Sequence, residues 1–160
     1  MDWCSRHPSD FDRAVLINSS AAGLSPPWHR MAPATLVRLL SLALEKDATS
    51  RERTILEATT CLEGEALEAR ARTWAELAHA RPISKKAILS QLAAASRFKA
   101  PASLPVRTLI IAGGCDRLVN PACQARLSSH FAAPLSSHPD AGHDLPLDQP
   151  EWLADQVSGL

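Results

Sequence analysis

The sequence predicts an α/β protein built on parallel strands. Three observations predict it. A short, continuous apolar run occurs at 14–17 and another at 109–112, within a strand-like stretch from 106, the pattern of strands covered on both faces. Longer stretches with helical periodicity separate them, and such crossovers join parallel rather than antiparallel neighbours. The chain has 160 residues, 46% hydrophobic and 21% charged, which is enough for one domain with a real core.

The elements follow in order. Residues 1–7 have a helical pattern closed by Pro8 and fit the last turns of a longer helix, since about seven residues alone are marginal. Ala14-Val15-Leu16-Ile17 is the first strand, and residues 18–27 form a loop ending in Pro26-Pro27. Residues 33–98 read as a block of about four helices. Leu36, Leu40, Ala43 and Leu44 share a face of the first; Thr49 with Glu52 gives a capping-box signal before Ile55, Leu56 and Thr59 of the second. Leu67, Ala71, Trp74 and Ala78 mark the third, which Arg81-Pro82 stops, and Ser84 caps a fourth with Ile88, Leu92 and Ala95 inward. Glu and Arg fill the outer faces. After a linker at 101–105, Val106-Arg107-Thr108-Leu109-Ile110-Ile111-Ala112 is the clearest strand, ended by Gly113-Gly114. Asn120-Pro121 starts a helix to about Phe131. Residues 135–138 form a short third strand, and Asp148 with Glu151 caps a last helix through Trp152 and Val157.

Composition excludes several function classes. Seventeen basic residues balance seventeen acidic ones, so no net field draws the chain to nucleic acid or an anionic membrane. Tyr is absent and Phe scarce, which argues against a base-stacking surface. The cysteines at 4, 61, 115 and 123 form no CxxC pair, so a structural zinc site is not supported, and free thiols suit a reducing, cytoplasmic setting; no other metal and no cofactor is expected. Residues 1–8 show no basic region followed by an apolar core, so no signal peptide is expected, and the longest apolar stretch, from 36 to 44, contains Arg38 and is too short to span a bilayer.

In parallel α/β sheets chemistry sits beyond the C-terminal strand ends. The loop after the second strand reads Gly113-Gly114-Cys115-Asp116-Arg117-Leu118-Val119-Asn120-Pro121; that after the third reads Asp140-Ala141-Gly142-His143-Asp144-Leu145-Pro146. An apolar strand, then G-x-x-D-x-[LV]-[VI]-x-P, then A-G-H one helix and one strand later resembles the α/β-hydrolase family. The resemblance implies a partial α/β-hydrolase fold, with three parallel strands, flanking helices and a helical cap inserted after the first strand. It implies Asp116 as the acid and His143 as the base of a catalytic triad. A neutral imidazole accepts a proton from a hydroxyl only if its other nitrogen holds the N–H, and a carboxylate on that N–H fixes the tautomer. Gly142 would let the backbone turn tightly before the imidazole.

Each part has a plainer reading. Alone, Asp116 is a turn residue and His143 a surface or satisfied histidine; in this order and on these loops they favour the pair. Asp140 and Asp144 beside His143, with His138, lack the spacing of a metal site. Gly113-Gly114 without G-x-G-x-x-G is a weak phosphate signal. Cys115 is expected to fill a small, buried position, and Ser19 and Ser20 to bond local backbone.

The family's nucleophile occupies a G-x-S-x-G turn, and no glycines of this chain bracket a serine in that way. The resemblance places that serine about seven residues before Met1. Residues 1–25 are thus expected to hold the end of the helix after that turn, with a strand and loop, 26–99 the cap, and 100–160 the core with both loops. The expected function is ester-type hydrolysis of a small molecule, inactive in this chain alone for want of nucleophile and oxyanion hole, with Trp28 and Trp74 shaping an apolar pocket. The alternative is a truncated, non-catalytic relative, acting as a binding or structural module or surviving as a gene remnant. The first strand would then be an apolar edge prone to pair with a partner or a second copy.

Overall fold

In the computed structural model, which describes residues 1–42 and 44–159, the elements in chain order are α1 (Asp2–Arg6), β1 (Arg13–Ile17), α2 (Pro27–Arg30), α3 (Pro33–Ser41), α4 (Ala48–Thr59), α5 (Gly64–Ala80), α6 (Lys85–Arg97), β2 (Arg107–Gly113), α7 (Ala122–Phe131), β3 (Leu135–His138), α8 (Leu145–Asp148) and α9 (Pro150–Ser158). A turn of 3-10 helix, Pro8–Asp10, separates α1 from β1.

Among the described residues the sheet runs β1-β2-β3, and both pairings are parallel. Arg13 lies opposite Arg107 and Ile17 opposite Ile111; Ile110 lies opposite Leu135 and Gly113 opposite His138. The three strands therefore end on one edge of the sheet. β2 is central and buried from Thr108 to Gly113. Its side chains alternate between faces, as the pleat requires. Ile110 joins Leu16, Ala21 and Leu127 of α7 on one side; Leu109 and Ile111 join Ala141 and Leu145 on the other, backed by Trp152 and Leu153 of α9. Burial on both faces is why Leu109 to Ala112 reads as an unbroken apolar run rather than an alternating one. β1, with a strand on one side only among the described residues, still buries Ala14 and Leu16.

The helical layer of α2 to α6 lies in sequence between β1 and β2. Its own core is Leu56 of α4 against Leu67 and Ala71 of α5, with Trp74 and Leu147 packed onto it. Ser84 caps α6 as expected, accepting from the Ala87 N–H at 3.1 Å. Three local expectations are corrected. The α4 cap is Asp47, whose carboxylate accepts the Ser50 N–H at 2.7 Å, while Thr49 and Glu52 already lie inside the helix. Asp148 does not cap α9, because its carboxylate is engaged elsewhere, and the residue before α9 is Gln149. The face of α6 expected to point inward does not: Ile88, Leu92 and Ala95 are exposed, and so are Leu36, Leu40 and Leu44, expected to share a face of α3. Amphipathic spacing marks a face that can be buried, and among the described residues little packs on these two. Ala43, expected on the same α3 face, lies outside the described residues. Among the described residues no helix is long and apolar enough to cross a membrane.

Candidate functional site

The loop after β2 and the loop after β3 lie directly against each other. The Gly114 N–H donates to the His138 carbonyl at 2.8 Å, and the Cys115 N–H to that of Ala141 at 2.9 Å. A Cβ on Gly113 would stand 2.3 Å from the Gly142 carbonyl oxygen and 2.6 Å from that of Ala141; one on Gly114 would stand 2.7 Å from the Pro139 oxygen. The glycine pair is thus explained by backbone contact between two loops, without a phosphate. Gly142 is a glycine for a related reason. Its φ is not in the left-handed region, against the expected tight turn, but a Cβ there would meet the Thr59 carbonyl oxygen at 2.9 Å and the Asp148 carboxylate at 3.0 Å.

This contact brings Asp116 and His143 together. One carboxylate oxygen, Oδ1, accepts the N–H groups of Leu118 and Val119, both at 2.8 Å; the other, Oδ2, lies 2.8 Å from His143 Nδ1. The Asp116 side chain is 1% exposed and that of His143 30%. Oδ1 accepts from two backbone N–H groups, and a carboxylate that acts as an acceptor at Oδ2 as well assigns the facing proton to Nδ1. Nδ1 therefore carries the imidazole proton, and in the neutral ring Nε2 is left as an acceptor.

His143 lines a cavity of about 390 Å³ together with Ile17, Asn18, Ile55, Thr59, Trp74, Asp144 and Pro146. Its walls come from the sheet edge, the helical layer and the histidine loop. A larger and more open hollow of about 580 Å³, lined by Gly23, Arg126 and His130 among others, contains neither member of the pair. Of the two tryptophans expected at a pocket, Trp74 lines the smaller cavity. Trp28, on α2, is 62% exposed and lines neither. The Asp144 carboxyl is pushed above its ordinary range by burial and by the neighbouring Asp148 charge, against the opposing pull of His143.

Cys115 is exposed, not buried as expected, and its thiol donates to the Pro139 carbonyl at 3.1 Å. All four cysteines are unbridged. Cys61, half-buried, has its thiol pushed up to about 11 by burial and then by Asp148. Ser19 bonds the Ile17 carbonyl through its hydroxyl, a local contact as expected. Among the described residues no three His, Cys, Asp or Glu side chains are grouped to hold a metal ion.

Two residues that sequence reasoning passed over frame the histidine loop. Asn18, taken as one residue of a loop, is buried; its Oδ1 accepts the Gly113 N–H at 2.7 Å, and its Nδ2 donates to the carbonyls of Gly142 at 3.0 Å and His143 at 2.7 Å. Asp148, taken as a helix cap, accepts the Gly142 N–H at 2.7 Å and the Cys61 N–H at 2.9 and 3.1 Å. The only hint at Asn18 was its type: Asn, just after a strand, tolerates a left-handed backbone, and here φ is 45°.

Comparison with known proteins agrees with this architecture. The chain belongs to the alpha/beta hydrolase family, whose model matches residues 4–156. No curated protein matches it in sequence. Among solved structures it is similar to 2-hydroxy-6-oxo-6-phenylhexa-2,4-dienoate hydrolase from Rhodococcus sp. strain RHA1, with a TM-score of 0.78 and 20% identity over 99% of this chain and 58% of that one. It is similar to a meta-cleavage product hydrolase from Pseudomonas fluorescens IP01, with a TM-score of 0.73 and 18% identity over 96% of this chain and 57% of that one. A thermophilic esterase gives a TM-score of 0.64 and 18% identity over 97% of this chain and 57% of that one. The chain thus spans less than two thirds of the length of these structures, and at such identities they show a common fold.

Proposed function

We propose that the chain supplies the acid and the general base of a serine-type ester hydrolase whose nucleophile and oxyanion hole lie in a segment outside these 160 residues. The observation that carries this reading is the 2.8 Å contact of a buried Asp116 with a His143 that opens onto a cavity. His143 Nε2 would accept the serine proton as the hydroxyl attacks a carbonyl, then return it to the leaving group, while Asp116 holds the Nδ1–H and stabilises the imidazolium. Ile17, Ile55 and Trp74 would form the apolar wall for a small ester-like substrate, in which Trp28 has no part. The structural neighbours, hydrolases and an esterase, favour the same substrate class. Residues 26–99 act as the cap over that cavity, with 1–25 and 100–160 as the core beneath. Without a nucleophile the chain alone is inactive. The free edge of β1 is where the completing segment, or a second copy, would pair.

The test compares this chain with the longest polypeptide that its gene encodes, assayed on 4-nitrophenyl butyrate. The 160-residue chain should show no His143-dependent release of nitrophenol. A longer product carrying G-x-S-x-G should turn over, and His143→Ala should lower its kcat by about 10⁴-fold or more. Turnover by the short chain that disappears in His143→Ala overturns its inactivity. A longer product that keeps its rate in His143→Ala overturns the base. A gene encoding no such turn favours the alternative, a non-catalytic relative.

A further inference from the structure

We propose that Asn18 is the positioning residue that sets the geometry of the Asp116–His143 pair; this rests on the pair's assignment above. Asn18 is the first residue beyond β1. Its own N–H still donates to the Ile111 carbonyl at 3.0 Å, so the strand pairing is unbroken up to it. Its left-handed backbone, φ 45°, then turns the chain sharply, while the side chain lies buried beside the end of β2.

The carboxamide reaches one N–H and two carbonyls, and all belong to the loops that carry the pair. The Gly113 N–H faces Oδ1, and the carbonyls of Gly142 and His143 face Nδ2. Two acceptors on one side and a donor on the other leave a single orientation of the amide consistent with its surroundings. A hydroxyl is too short, and a carboxylate has no donor for the two carbonyls.

Asp116 is fixed within its own loop by the Leu118 and Val119 N–H groups. The remaining freedom of the pair is the placement of one loop against the other. Asn18 bridges that gap, and one of its bonds ends on the backbone carbonyl of His143 itself. Losing it leaves buried polar groups unpaired at the point from which the imidazole projects. The proposed effect is therefore on where the ring stands relative to Asp116, beyond any effect on stability.

The test reads the tautomer of His143 by nitrogen-15 correlation spectra, with the downfield Nδ1–H proton, assigned by its loss in His143→Gln. Asn18→Gly keeps a residue suited to positive φ and deletes both arms of the bridge. Asn18→Asp keeps the acceptor for Gly113 and turns the other arm into an oxygen facing two carbonyls. In both, far-UV circular dichroism should be retained, and the ratio of the Nδ1–H to the Nε2–H tautomer should fall about fivefold, the factor expected for one lost hydrogen bond. If only one variant folds, that one decides. An unchanged tautomer in a folded variant overturns the proposal, and so does unfolding of both, which would make Asn18 a residue of the fold alone. If the unsubstituted chain shows no Nδ1–H signal dependent on Asp116, the pair itself fails, and this inference with it.

Discussion

Replacing Asp148 by Ala should destabilise the protein by about 2–3 kcal/mol. The carboxylate accepts the Gly142 N–H at 2.7 Å and shares the Cys61 N–H between its two oxygens at 2.9 and 3.1 Å. A hydrogen bond to a charged group is worth about 1.5–3 kcal/mol. Gly142 is buried, so its N–H has no water to turn to and carries the full loss; Cys61 is half-buried and recovers part of its own. Against this, removing a negative charge relieves Asp144, on the scale of under about 1 kcal/mol for a partly solvated group. At about 2–4 °C per kcal/mol for a chain of this size, Tm should drop by about 4–12 °C. Asp148→Asn keeps one acceptor oxygen and should lose roughly half as much. Thermal unfolding followed by circular dichroism at neutral pH measures both. A change within about 0.5 kcal/mol for the Ala variant, the range of ordinary surface substitutions, would refute the view that Asp148 fastens the histidine loop to the helical layer.

The Asp144 carboxyl is raised above its usual 3.8 by burial first and by Asp148 second. The folded state therefore holds this proton to higher pH than the unfolded state does, and stability is lost as pH rises from about that value through the raised one. Asp144→Asn should remove the loss, gaining under about 1 kcal/mol at pH 7 and nothing at pH 3; urea unfolding at the two pH values checks this, and an equal gain at both would contradict it. Iodoacetamide at pH 8 should modify exposed Cys115 well before Cys61, whose thiol is pushed up to about 11, and Asp148→Asn should speed Cys61. Peptide mass spectrometry over time gives the order, and equal rates for the two cysteines would sink the assignment.

The strands were legible because burial on both faces makes a parallel strand an apolar run, as at Leu109, Ile110 and Ile111. Asp116 and His143 were legible through the motifs around them. Asn18 and Asp148 were not, for a physical reason. Each acts on backbone N–H or carbonyl groups, which every residue type carries, and the partners of Asn18 lie 95, 124 and 125 residues away. No sequence pattern encodes such a bond. The inward face assigned to α6 failed differently: Ile88 and Leu92 have helical spacing, but spacing cannot supply the surface to pack against. Gly142 was identified as necessary for the wrong reason, since space was the constraint and φ was not.

Both loops of the candidate site are tied on one side to the sheet and on the other to the helical layer. The acid loop accepts the Ala32 N–H at the Leu118 carbonyl, at 2.9 Å, and the Thr35 hydroxyl at the Arg117 carbonyl, at 2.6 Å. Arg117 in turn donates to the Glu57 carbonyl of α4 at 3.1 Å. The histidine loop donates its Asp144 N–H to the Thr59 carbonyl at 2.7 Å and meets Cys61 through Asp148. Asn18 supplies the matching tie from the sheet. Because the end of α4 holds both loops, a displacement of that helix moves Arg117 and Asp144 together and tends to preserve the distance between Asp116 and His143. A displacement at Asn18 moves one loop against the other. That difference separates the two framing residues: Asp148 governs how firmly the pair is attached to the helical layer, and Asn18 how its two members face each other.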